Sequence, residues 1–288
     1  MSIIYINPYQ FAAAYDPDAQ SYITAVEAAD GQALEVGVKD AINAFVVGCK
    51  TDGIWDAIKA SCILAGARTL NGALVPLVGT APTNYNFVSD DYNRETGLVG
   101  DESTKYLDSN RNNNADPQDS KHIAAYIYSI PAGGPSPIMG VNTVAPGGSW
   151  ISRNADGTTS SQRANSGVSY SYANAFPISL KLIGVSRPSS ASQSHIAAQG
   201  IQTNTIASST PTNEAINVFR AIGGYTNARI PFYSIGENLD LEKLDNRVTR
   251  LMDLITYTQT AGLPDLATMD IDAAAYIGGG YRVGGTLS

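Results

Sequence analysis

Basic residues are scarce in this sequence. Eighteen lysines and arginines stand against 26 aspartates and glutamates, which gives a formal net charge of −8. A phosphate backbone or an anionic membrane surface is bound through a dense positive stripe, and the sequence contains none. No apolar run approaches the ~20 residues that a membrane-spanning helix requires. We therefore expect neither nucleic acid binding nor membrane insertion.

Cysteine and histidine are nearly missing, which limits the available chemistry. Cys49 and Cys62 are too few for a four-ligand zinc site, and we interpret both as small buried residues in a reducing compartment. His122 and His195 are the only candidate general bases. Both fall in predicted strands, and no Gly-x-Ser-x-Gly elbow accompanies them. We interpret both histidines as structural residues with satisfied hydrogen bonds.

Carboxylates are present, but not in a pattern that indicates glycoside hydrolysis. That reaction needs two acids facing one cleft, and two acids on one strand share a face only at i, i+2 spacing. No such pair on one strand is formed by the candidates, which are Glu95, Asp101, Glu102, Glu214 and Glu237. The sequence therefore predicts no catalytic residue.

Two oxygen-rich clusters are alternatives for a hard-cation site. One contains Asp90, Asp91 and Asn93, and the other contains Asn112, Asn113, Asn114, Asp116 and Asp119. Neither has the ligand spacing of an EF-hand loop, so we interpret them as solvated turn residues. The run Gly278-Gly279-Gly280 lacks the lysine and hydroxyl residue of a phosphate-binding loop. We predict no metal ligand and no cofactor.

Three helices are predicted from apolar spacing and capping. Asp16 and Pro17 suit the start of the first helix, and Gly31 suits its end. The second carries an apolar stripe from Val38 to Cys49, and a shorter amphipathic piece follows over residues 54–62. Asp240 caps the third, whose leucine-rich stripe we expect to lie across the edge of a β-sandwich.

Between residues 70 and 236 the pattern is that of short strands separated by turns. Strands are predicted within 98–107, 122–130, 168–172, 179–185, 193–198, 216–221 and 229–235, with a loop at 131–137. Such spacing is typical of an antiparallel sandwich. We expect three regions: an apolar N-terminal arm and helical segment (1–69), the sandwich with its closing helix (70–260), and a tail (261–288).

Tyrosine is abundant, with 16 residues. We expect most tyrosines to form cross-strand packing pairs. Exposed ones can also stack on the apolar face of a sugar ring.

Three stretches, residues 41–55, 84–108 and 227–240, resemble segments of tailed-phage virion proteins. The resemblance is to tail fibre or appendage proteins with a concanavalin A-like, laminin-G-like jelly-roll domain. It implies a mainly β sandwich, oligomeric assembly and no catalytic residues. The first dozen residues and those beyond 262 depart from it.

The expected function is therefore that of a non-enzymatic structural subunit in a tail fibre or baseplate appendage. Its expected partners are other virion proteins, two further copies in a homotrimer, and host surface glycans. The sequence shows no signal peptide, so we expect synthesis and assembly in the host cytoplasm and location in the virion. A capsid decoration protein and a polysaccharide depolymerase are the alternatives.

Overall fold

The computed structural model describes residues 14–176 and 181–260. Four α-helices lie in this part of the chain: α1 Pro17–Asp30, α2 Val36–Thr51, α3 Leu70–Ala73 and α4 Leu241–Thr260. The strands are β1 Ile58–Ile63, β2 Thr83–Tyr85, β3 Tyr92–Asn93, β4 Gly97–Val99, β5 Tyr106–Asn112, β6 Lys121–Ile127, β7 Ser136–Gly140, β8 Trp150–Arg153, β9 Ser160–Arg163, β10 Tyr170–Tyr172, β11 Lys181–Ser189, β12 Ser192–Ala197, β13 Gly200–Thr205, β14 Ala215–Val218, β15 Arg220–Ala221, β16 Gly224–Tyr225, β17 Arg229–Ile230 and β18 Phe232–Gly236.

The strands form two large antiparallel sheets that face each other. A six-stranded sheet has the order β1-β18-β6-β11-β12-β13, and a seven-stranded sheet has the order β10-β9-β8-β7-β14-β5-β2. Side chains of both sheets pack in one core, for example Ile123 and Val185 from the first sheet against Leu107 and Val218 from the second. The prediction of an antiparallel β-sandwich with N-terminal helices and a C-terminal helix is confirmed. Its finer assignment as a concanavalin A-like jelly roll stays a prediction.

The first helix begins and ends for the predicted reasons. The Asp16 carboxylate accepts a hydrogen bond from the Asp18 amide at 3.0 Å, Pro17 occupies the first turn, and Gly31 ends α1 at φ 68°. In α2, the predicted stripe from Val38 to Cys49 is buried.

The predicted amphipathic piece over residues 54–62 is wrong. A short 3-10 turn, Trp55–Ala57, leads into β1, which pairs with β18. This strand is buried on both sides, with Cys62 in the core between the sheets and Ile63 under the helices. A short apolar run of this kind has no alternation that separates strand from helix. Strand β1 belongs to the sandwich although it lies before residue 70.

Helix α4 lies over a face of the sandwich and not across its edge, which corrects the expected position. Alternate residues of the six-stranded sheet, such as Tyr126 and Leu182, join the helices in a second core. The Leu182 amide also donates to the Asp245 carboxylate of α4 at 3.1 Å. A sheet face offers this continuous apolar surface and an edge does not, so the protein has three layers: helices, six-stranded sheet and seven-stranded sheet.

The sequence pattern does not predict strands β7, β8 and β9, and the predicted loop at 131–137 is wrong at its end, where β7 begins at Ser136. The sequence of these strands explains why. They are short and carry buried polar residues such as Arg153, Gln162 and Arg163 where apolar ones are expected. Arg153 donates to the carbonyls of Pro131 and Gly134, and Arg163 donates to that of Gly148. Because these partners come from distant loops, a local pattern cannot predict them.

No helix in the described part of the chain is long and apolar enough to cross a membrane. The apolar arm at residues 1–11 and the tail at 261–288 lie outside the described residues. The division into regions 1–69, 70–260 and 261–288 stays a prediction.

We predict that Phe45→Ala lowers the free energy of unfolding by about 3–5 kcal/mol. Phe45 is 2% exposed, and its ring meets that of Phe232 edge-on at 5.6 Å, joining α2 to the six-stranded sheet. Val47→Ala on the same helix is the control, since Val47 is 43% exposed and its truncation should cost less than about 0.5 kcal/mol. Urea denaturation of both variants measures the difference, and equal losses would contradict the layer arrangement.

Candidate functional site

The two histidines are buried, but within the described part of the chain only His122 has hydrogen-bond partners at its ring nitrogens. His122 places Nδ1 2.5 Å from the Glu237 carbonyl and Nε2 2.7 Å from the Ser234 hydroxyl. Among the residues that the structure describes, His195 has no hydrogen-bond partner at either ring nitrogen, and its ring lies 4.5 Å from that of Tyr170. The prediction of satisfied hydrogen bonds is correct for His122 and wrong for His195. His195 faces the interior between the sheets, where its neighbours are set by tertiary packing.

Both cysteines are free thiols, and both are buried. Burial raises the pKa of the Cys49 and Cys62 thiols to about 12, so neither forms a reactive thiolate near neutral pH. The interpretation of these residues as small buried side chains is confirmed.

The five candidate acids lie in loops at different places. Glu95 lies between β3 and β4, Asp101 and Glu102 precede β5, Glu214 precedes β14, and Glu237 follows β18. Asp101 accepts hydrogen bonds from the amides of Ser103, Thr104 and Lys105, and Glu237 pairs with Lys59 at 3.1 Å. Glu214 accepts the amide and hydroxyl of Thr143. Local partners therefore hold three of these carboxylates.

The two oxygen-rich clusters are held by basic residues and turns. Asp91 pairs with Lys105 at 2.5 Å, and Asn93 accepts the amides of Glu95 and Thr96. Within residues 14–176 and 181–260, no three histidine, cysteine or acidic residues are grouped so as to hold a metal ion.

Asp91 and Asn113 are buried, so the prediction of solvated turn residues is wrong for them, and it is also wrong for Asp116 in the second cluster. The Asp116 side chain is completely buried, as is that of Lys121, whose ammonium lies 2.7 Å from the carboxylate. Burial opposes ionisation of Asp116, but hydrogen bonds from Arg111 and the charge of Lys121 outweigh it and lower its pKa. The group is thus a buried ion pair.

An aromatic cluster on the seven-stranded sheet is the strongest candidate for a binding site. Tyr85 and Tyr106 lie opposite each other on β2 and β5, with ring centroids 4.3 Å apart and planes 4° from parallel. Tyr225 meets Tyr106 edge-on at 6.1 Å. The Arg220 guanidinium lies 4.8 Å from the Tyr106 ring and 5.2 Å from the Tyr225 ring. We call these four residues the tyrosine–arginine platform.

The platform is on the outer side of the seven-stranded sheet. Leu107 is buried in the sandwich core, and side chains alternate along a strand, so the neighbouring Tyr106 points to the other face. Tyr85 is on an edge strand and is 40% exposed. The helices cover the far side of the other sheet, so the platform and the helical layer lie on opposite sides of the molecule.

A strained hairpin supplies the other half of the platform. Phe219 has φ 70° between β14 and β15, and the turn between β15 and β16 contains Ile222 at φ 44° and Gly223 at φ 80°. A β-branched residue at positive φ costs about 1–3 kcal/mol, which the surrounding structure must offset. The Ile222 amide donates to the Val141 carbonyl at 2.9 Å, which anchors the turn next to β7.

The pairing of β15 with β16 then fixes the side chains. Arg220 lies opposite Tyr225 in register, and the Thr226 amide donates to the Phe219 carbonyl at 3.1 Å. Burial raises the pKa of Tyr106, so its hydroxyl stays protonated at neutral pH. The arrangement offers an apolar face, several hydroxyls and one cation.

The sequence indicates tyrosine stacking in general but does not identify this site. Tyr85, Tyr106 and Tyr225 are far apart in the chain, and nothing local links them. The nearest signal is turn chemistry beside two of them: Asn86 follows Tyr85, and Gly223-Gly224 precede Tyr225.

We predict that Asp116→Asn lowers the free energy of unfolding by about 3–5 kcal/mol, because it leaves the Lys121 charge buried without its carboxylate. Asp119→Asn is the matched control, since Asp119 lies in the same segment and is exposed. Thermal and urea denaturation measure both. A loss for Asp116→Asn as small as that for the control would show that the pair is not a buried ion pair.

We also predict that stability falls as the pH drops below 6.5. Burial lowers the pKa of His122 to about 4 and that of His195 to about 3. Below about pH 6.5 the unfolded chain binds protons that the folded chain does not, so each histidine costs about 2 kcal/mol of stability by about pH 5. The free energy of unfolding measured by urea denaturation across this range gives the slope.

His195→Phe removes one of the two titrating rings, and it should roughly halve that slope between about pH 6.5 and pH 5. Ser194→Ala is the control, because it changes the adjacent residue of β12 and keeps both histidines. An unchanged slope in His195→Phe would contradict the prediction, whatever its absolute stability.

No family model and no curated protein sequence matches the chain. Among solved structures, the botulinum neurotoxin serotype D binding domain aligns at 9% identity and a TM-score of 0.47, over 70% of this chain and 52% of that one. A mutant Trypanosoma rangeli sialidase displaying trans-sialidase activity aligns at 10% identity and a TM-score of 0.47, over 76% of this chain and 40% of that one. The enzymatically active domain of tailspike protein 2 from bacteriophage CBA120 aligns at 14% identity and a TM-score of 0.36, over 62% of this chain and 30% of that one. The chain spans about half or less of the length of each of these, and the sandwich assignment rests on its own strand topology.

Proposed function

We propose that this protein is a structural subunit of a tailed-phage virion, placed in a tail fibre or baseplate appendage, and that it binds host surface glycan at the tyrosine–arginine platform. The observation that carries the glycan proposal is the exposed Tyr85 ring, which is backed by the parallel, half-buried Tyr106 ring, with Tyr225 at a steep angle to Tyr106. Aromatic faces match the apolar face of a pyranose ring, and tyrosine hydroxyls supply hydrogen bonds to sugar hydroxyls. The virion proposal rests on the resemblance of residues 41–55, 84–108 and 227–240.

The mounting of the platform supports a role in display. Two of its residues are on strands of the large sheet, and the other two are on a hairpin anchored to β7. Because the rings are held in place before binding, less side-chain entropy is lost when a ligand binds. Because the platform lies on the side away from the helices, a neighbour that contacts the helical layer leaves it open.

We propose binding without cleavage. The chemistry of glycoside hydrolysis requires one carboxylic acid and one carboxylate on either side of the scissile bond. The platform itself contains no acid, and Asp101, Glu214 and Glu237 among the candidates are engaged by local partners. A homotrimer presents three platforms, and binding through all three would raise the overall avidity for a polysaccharide chain.

We expect Tyr85→Ala to weaken binding to host surface polysaccharide at least tenfold, equivalent to about 1.4 kcal/mol. Tyr257→Ala is the matched control, because Tyr257 is 39% exposed against 40% for Tyr85 and is on α4, in the helical layer. Biolayer interferometry on immobilised polysaccharide measures affinity, and circular dichroism checks that both variants fold.

Three results would contradict the proposal in different ways. Equal binding by both variants and the unaltered protein would remove the platform from the site. New reducing ends after incubation with the polysaccharide would indicate a depolymerase. A labelled copy confined to the capsid shell in particle images would indicate a decoration protein.

A further inference from the structure

We propose that the platform selects a sugar that carries a carboxylate, and that Arg220 forms the ion pair with it. This inference rests on the proposed glycan binding and adds the chemical class of the ligand. It starts from an unusual feature of the platform, which is a cation without an anion.

Other arginines of the protein have evident acceptors. Arg94 contacts Glu35 at 2.8 Å, and Arg247 contacts Asp52 at 2.7 Å. Arg187, although buried, donates to the carbonyls of Ala164, Ser189 and Ile206. Such pairing is expected, because a guanidinium carries five donors and is costly to leave unpaired.

Arg220 has no acceptor among the described residues. Its contacts are the faces of two tyrosine rings, at 4.8 and 5.2 Å. Its Nε is buried and makes no hydrogen bond. Ring contacts of this kind contribute about 0.5–2 kcal/mol, and they leave the hydrogen-bonding capacity of the guanidinium unused.

The two tyrosines hold Arg220 ready for a ligand. Contacts with both rings restrict the guanidinium before any ligand arrives, so less side-chain entropy is lost on binding. A planar guanidinium matches the two oxygens of a carboxylate with parallel hydrogen bonds. Tyr85 covers one face of the Tyr106 ring and Arg220 lies over the other, so the aromatic face open to a sugar is the outer face of Tyr85. An oligosaccharide with one residue on Tyr85 would run along the edges of the stacked rings and bring the carboxylate of a neighbouring residue to Arg220.

The negative net charge of the protein means that only a local contact can favour an acidic sugar over a neutral one. With a net charge of −8, the protein does not attract polyanions over a distance, so affinity for an acidic sugar must come from a local contact. The platform has a single cation, which matches the single charge of a carboxylate better than the double charge of a phosphate.

The test uses the full chain with oligosaccharides of galacturonate and glucuronate and with their neutral methyl esters. We expect the acids to bind at least tenfold more tightly than the esters by isothermal titration calorimetry. Arg220→Met keeps a long apolar chain against the rings and removes the charge. It should bind acid and ester equally, at the affinity that the unaltered protein has for the ester.

A second measurement does not depend on any variant. In a ¹H–¹⁵N spectrum of the unaltered protein, the Arg220 Nε–Hε signal should shift on addition of the acids and stay in place on addition of the esters. Tyr85→Ala should weaken both kinds of sugar.

The outcomes distinguish a failure of the carboxylate assignment from a failure of the proposed glycan binding. Equal affinity for acid and ester, together with weaker binding by Tyr85→Ala, would overturn the carboxylate assignment and leave the glycan site intact. Tighter binding of a 6-phosphate sugar than of the uronates would also overturn it. Absence of binding by acids, esters and host polysaccharide would count against both proposals.

Discussion

The strands β1, β18, β6 and most of β11 in the six-stranded sheet are buried on both faces, and the rest of the structure depends on this. One face packs against the seven-stranded sheet and the other against α1, α2 and α4. A sheet with two dry faces needs apolar side chains on both sides of each strand, which is why β1, β6 and β18 are almost fully buried. In the seven-stranded sheet β7, β8 and β9 are almost fully buried as well, and the outer face is open to solvent at β2 and β5, where the platform lies.

The platform depends on this open part of the outer face. Tyr85 is on an edge strand, and an edge strand has only one neighbour to hold it. The stack with Tyr106 and the hydrogen bond from Asn86 to the Thr104 carbonyl stabilise that edge. The strained hairpin with Arg220 and Tyr225 lies beside it, so binding residues come from two separate elements on one rigid support. Binding sites are commonly built in this way, with strain concentrated where the ligand contacts the protein.

The interior between the sheets is unusually polar toward β9 and β12. Gln162, Gln193 and His195 are all fully buried there, and the first and last of these keep unpaired atoms. Unpaired buried polar groups cost stability, commonly about 1–3 kcal/mol each. The apolar core around Ile123, Val185 and Val218 must offset that cost, which makes the two parts of the sandwich unequal in their contribution to stability.

The sequence by itself determined the features that depend on neighbours in the chain. The Asp16–Pro17 start and Gly31 end of α1, the apolar stripe of α2 and about half of the sandwich strands, such as β6, β11, β12 and β14, follow from capping, spacing and turn chemistry. The low content of basic residues likewise argues against nucleic acid and anionic membrane surfaces as partners. Only the tertiary structure decided that residues 58–63 form a strand and that α4 lies on a sheet face, because burial on two sides removes the alternation that identifies a strand. It also decided that Tyr85, Tyr106, Arg220 and Tyr225 meet, since the contacts of Tyr106 with Arg220 and Tyr225 join residues more than a hundred positions apart, and a one-dimensional pattern carries no information about such distances.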